Sequence, residues 1–135
     1  MIHQFRKITI VRINKPEKKK INEGLQWLGS SLGLFGLRDK NSSCFRVFIE
    51  LLKAAKVKHP MNSDEISYRT GLSRATVIFH LDKLIGAGLV AIENSKYILR
   101  ISNLEQLIEK VKEDADKVFD NLKEVAHDVD KELGF

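Results

Sequence analysis

The chain has 135 residues, 43% hydrophobic and 30% charged, a balance that excludes a disordered segment and fits one domain, or one small domain with appendages. Its one cysteine, Cys44, excludes an internal disulfide and any multi-cysteine zinc or iron–sulfur site, and no apolar run reaches the roughly 18 residues of a membrane span. The net charge of +5 is uneven: residues 1–63 carry thirteen Lys/Arg against four Asp/Glu, residues 64–101 five against four, and residues 102–135 five against ten.

The start, Met1 to Lys7, is too polar for a signal peptide, so the chain reads as cytoplasmic. Residues 5–13 are rich in β-branched types and predict a short strand ended by Asn14-Lys15-Pro16. Residues 17–32 predict a helix, with Ile21, Leu25, Leu28 and Leu32 along one face. Three glycines between Gly29 and Gly36 oppose its continuation, and the apolar run Gly29–Leu37 reads as a packed loop. It lacks the strand–Gly-x-x-x-x-Gly-Lys–helix pattern of a phosphate loop.

Residues 43–56 predict a clear amphipathic helix, with Cys44, Val47, Phe48, Leu51, Leu52 and Ala55 in one stripe. Cys44 there reads as a small core residue, not a nucleophile. Asn62 and Glu65 form a capping box for a short helix over about 63–70. Gly71 supplies a turn, and Ser73 caps a second helix over about 74–86 that buries Val77, Leu81 and Leu84. Leu89–Glu93 and Lys96–Arg100 predict two strands around the turn Asn94-Ser95. Helix, glycine turn, helix and hairpin is the order of a winged helix-turn-helix, whose second helix presents its N-terminal half to a major groove.

The run from Leu72-Ser73 through Thr76-Val77, His80-Leu81 and Leu84 to Gly88-Leu89-Val90 resembles the recognition helix and wing entry of ArsR-like winged-helix regulators. The resemblance covers residues 43–101. It implies that Arg74, Ala75, Thr76, Ile78 and Phe79 face DNA, that Lys83 lies near the phosphate backbone, and that His80 packs at the helix base. Ser73 and, on the wing, Lys96 complete the expected DNA-binding set. Arg100 is the other positive charge of the wing, and Glu93 opposes the pair. The chain departs from the family at Ile78 and Phe79, where serine and histidine are common; neither can hydrogen-bond a base edge. Three readings stay open. The two side chains touch thymine methyls, are buried against the N-terminal extension, or face a protein. Lys18, Lys19 and Lys20 are candidate phosphate contacts or a solvated helix start, and Arg6, Lys7, Arg12 and Lys15 are further cations of the same segment.

Ser102 and Glu105 form a capping box for a last helix. Leu104, Ile108, Val111, Ala115, Val118, Leu122, Val125, Val129 and Leu133 step by fours and threes, the pattern of a coiled-coil seam. The acidic tail would repel phosphates and reads as a dimer interface. His127, Asp128, Asp130 and Glu132 do not share one helical face and read as solvated surface, so no metal is expected. No nucleophile–base pair or nucleotide loop stands out; no enzyme and no cofactor are expected.

The expected fold is mainly α with a small β-hairpin wing: a basic extension over 1–42, a winged helix-turn-helix over 43–101, and a coiled-coil dimerisation helix over 102–135. The expected function is a homodimeric DNA-binding transcription regulator, with double-stranded DNA and the transcription machinery as partners and no membrane. The alternative is a winged-helix module that binds protein or RNA within a larger assembly.

Overall fold

The computed structural model describes residues 6–17, 20–35, 42–100 and 102–135. The helices are α1 (Ile21–Ser31), α2 (Ser43–Lys56), α3 (Ser63–Thr70), α4 (Arg74–Gly86) and α5 (Leu104–Leu133), and the strands are β1 (Val90–Glu93) and β2 (Lys96–Leu99).

Helices α2, α3 and α4 enclose the core. Cys44, Val47, Phe48 and Leu51 of α2 meet Ile66 of α3 and Val77, Leu81 and Leu84 of α4. The local signals set these boundaries. Asn62 Oδ1 accepts the amide of Glu65 at 2.9 Å and starts α3. Gly71 ends it at φ 72°, a left-handed conformation that costs glycine little. β1 and β2 pair antiparallel from Val90–Leu99 to Glu93–Lys96. Asn94 and Ser95 both have positive φ, as a tight hairpin turn with right-handed strand twist requires. Met61 adds a one-residue bridge to Tyr97, so the segment before α3 is tied to the wing.

The described residues before α2 differ from expectation in part. Residues 6–13 form no strand. A β-branched run needs a neighbouring edge to become a ladder, and here its amides go elsewhere: Arg6 and Lys7 to the Gly86 carbonyl, Val11 to the Ser31 carbonyl. The segment is an irregular arm that crosses from the end of α4 to the end of α1. Helix α1 begins at Ile21, four residues later than the apolar spacing suggests. It continues through Gly29, where a Cβ would lie 1.7 Å from the Phe35 ring; the glycine lets the loop fold back onto the helix. Leu34 is buried, and Gly36 and Leu37 lie outside the described residues.

The last helix starts at Asn103, not Ser102: Asn103 Oδ1 accepts the amide of Gln106 at 2.9 Å. Its first three turns belong to the domain. Leu107 and Val111 are buried in the core, and Leu104 packs against it. Val111, and most of Leu104, are therefore spent within the chain and cannot serve a seam between copies. Asp114 is buried too and pairs with Arg100. From Asp116 to the end every residue is exposed.

Candidate nucleic-acid interface

Helix α4 has one buried side and one open side. Ser73 Oγ accepts the Thr76 amide at 3.1 Å and donates to Thr76 Oγ1 at 2.9 Å, which fixes the helix start. Val77, His80, Leu81 and Leu84 then point into the domain. Arg74, Ala75, Ile78 and Phe79 fall on the opposite side, at i, i+1, i+4 and i+5. Arg74 and Ala75 are exposed, while Thr76 and Ile78 are half-buried. Phe79 is 67% exposed, with its ring edge-on to His80. Burial against the N-terminal arm is thereby excluded for Phe79. Tyr68 of α3, 90% exposed, adds a second open aromatic ring.

The cations around this face are mostly engaged. Arg74 Nε lies 3.5 Å from Asp64 Oδ1, a solvent-exposed pair. Glu65 takes both His59 Nε2 and Arg69 Nη2 at 2.9 Å. The hydrogen bond from His59 is the largest influence and holds its carboxyl below the ordinary value of 4.5; desolvation opposes it, and the hydrogen bond from Arg69 adds a smaller lowering. On the wing, Lys96 is exposed and sits opposite Glu93 in the hairpin register. Arg100 is not a wing contact. Its guanidinium donates to the Gly88 carbonyl at 3.2 Å and to the buried Asp114 carboxylate. The spacing Leu107, Val111, Asp114 placed that acid on the core-facing stripe of α5, which was the signal that a cation must meet it.

Lys83 is turned toward the protein, its Nζ donating to the Leu34 carbonyl at 2.7 Å. Lys20 is exposed at the start of α1; Lys18 and Lys19 lie outside the described residues. The arm was not legible as part of this region. The Arg6 and Lys7 amides reach the Gly86 carbonyl at 2.7 and 3.1 Å, and Arg6 Nη2 reaches the Asp82 carbonyl at 2.9 Å. Together they satisfy carbonyls at the C-terminal end of α4 and place a positive charge where the helix dipole favours one.

Residues 50–91, from the middle of α2 to the start of β1, match the family model of the bacterial regulatory protein, arsR family. Over these residues the helix-turn-helix is similar to that of the arsR family. The match spans about a third of the chain and contains the turn, all of α4 and the entry to the wing. It supports a DNA-binding transcription regulator. The arm, α1 and all of α5 lie outside it. No curated protein and no solved structure matches the chain. Among the described residues, no helix is long and apolar enough to cross a membrane.

Proposed function

We propose that the chain is a homodimeric transcription regulator that sets the N-terminal half of α4 in the major groove and the wing against the backbone. The open side of α4 carries this reading: Ser73, Arg74, Ala75 and Phe79 are exposed, and Thr76 and Ile78 lie half-buried beside them. Ala75, Ile78 and Phe79 suit thymine methyls, and Arg74 suits a phosphate or a base edge once it leaves Asp64. Lys96 extends toward the backbone from the wing, with Lys18, Lys19 and Lys20 as further phosphate contacts. Residues 43–101 are the DNA-binding unit in this reading, flanked by a basic extension over 1–42 and a dimerisation helix over 102–135.

The dimer rests on the far half of α5. Val118, Leu122, Val125 and Val129 form an exposed apolar stripe on a helix of 30 residues, while Ala115 and Ile108 continue it half-buried toward the domain. A second copy covers that stripe and sets two recognition helices at half-sites about 34 Å apart. The complex acts in the cytoplasm by blocking or recruiting the transcription machinery.

Fluorescence anisotropy with random-sequence duplex DNA at two salt concentrations tests the reading. It expects binding at low salt that weakens steeply as salt rises. Failure to bind at low salt overturns it. The exposed rings of Phe79 and Tyr68 beside ion-paired arginines favour a second reading, a winged helix that binds protein or RNA within a larger assembly. Binding of single-stranded RNA with no duplex DNA binding selects the second.

A further inference from the structure

The arm and the end of α4 enclose a cleft of about 290 Å³ that lies apart from the open N-terminal half of the helix. Arg6, Lys7 and Lys83 line it together with Thr9, and no carboxylate is among its described lining residues. Two other arginines near α4 each have an acid: Arg74 has Asp64, and Arg69 has Glu65. Here, among the described residues, the cations meet only neutral groups. Lys83 donates to the Leu34 carbonyl and Arg6 to the Asp82 carbonyl. Among the described lining residues, nothing compensates the positive charge of the three side chains. Two of its walls are glycines. A Cβ on Gly33 would lie 2.7 Å from Thr9 Cγ2, and one on Gly86 would lie 2.7 Å from Arg6 Nη2.

We infer that this cleft is a phosphate-binding site. A phosphate group supplies the missing negative charge and several strong acceptor oxygens, which a guanidinium, two ammonium groups and a hydroxyl suit. The volume admits a phosphate with a small body attached. The same group comes from two sources, a free phosphate compound or the backbone of bound duplex DNA. The cleft lies on the Phe79 side of α4, since Gly86 follows Phe79 by seven residues, and a backbone phosphate beside the groove is therefore within the same face. Either occupant would lock the arm to the recognition helix.

The full chain is titrated with inorganic phosphate and pyrophosphate at constant ionic strength, followed by amide NMR, and its DNA affinity is measured against salt. Two variants accompany it. Lys7→Glu changes an exposed side chain, and Gly86→Ala pushes the flexible end of Arg6 aside with little disturbance of the backbone. A free-phosphate site gives saturable shifts of the Gly33, Gly86 and Ala87 amides with affinity about tenfold weaker in each variant. A backbone site gives no such titration, while Lys7→Glu lowers the salt slope of DNA binding by about one. Neither a titration nor a change of slope overturns the site. Only the second arm rests on the DNA-binding reading: if the chain binds no duplex, that reading fails, and the phosphate titration alone decides the cleft.

Discussion

Phe79 and Arg100 show how differently two residues of one motif are used. Phe79 is mostly open to solvent, so its truncation removes little packing. Phe79→Ala is expected to change stability by less than about 0.5 kcal/mol while weakening duplex binding; calorimetry and anisotropy on the same sample check both. Arg100 and Asp114 have side chains only 10% and 8% exposed. Asp114→Ala strands a buried guanidinium and is expected to cost about 3–5 kcal/mol in denaturant unfolding, whereas replacing both partners with apolar residues recovers most of it. Glu65 gives a pH signature. Its folded-state pKa is lowered, chiefly by the His59 hydrogen bond, so its contribution is present above the ordinary value of 4.5 and fades as pH falls through the lower folded value. Glu65→Gln is therefore expected to lower the melting temperature at neutral pH and to approach the parent in acid.

At the scale of elements, what was legible in sequence was what local chemistry decides. The span of α2, the Asn62 and Ser73 caps, the Gly71 turn and the hairpin around Asn94-Ser95 all depend on near neighbours, and all form as expected. The arm did not follow its β-branched composition, because a strand needs a partner edge that composition cannot reveal. The same holds for its capping of α4 and for the orientation of Lys83, both set by contacts across more than forty positions. Position 29 illustrates the difference within a single helix. Gly24 has nothing within 4 Å of a built Cβ, whereas at Gly29 the Phe35 ring lies inside contact distance. Gly24→Ala is expected to stabilise by up to about 1 kcal/mol, and Gly29→Ala to destabilise by about 1–3 kcal/mol, as read from urea midpoints.

For the whole molecule, the partition of charge becomes a partition of roles. Arg6 and Lys7 of the basic first half close the end of α4, and from Val118 onward the acidic last helix carries an exposed apolar stripe. Covering that stripe needs a partner, and a dimer mass in light scattering is expected, with Leu122→Glu returning a monomer that keeps the helix-turn-helix fold. A parent chain that is monomeric at high concentration would remove the dimer from the proposal. The open helix face between Ser73 and Phe79 was legible, but its electrostatics were not, because the Arg74–Asp64 pair joins α4 to α3.

The central claim is that the N-terminal half of α4 meets duplex DNA. Amide chemical-shift mapping of the full chain with a random-sequence duplex tests it most directly. The largest shifts are expected at Arg74 to Phe79, with a second group around Asn94 to Lys96. Shifts that leave Arg74 to Phe79 unmoved would contradict it.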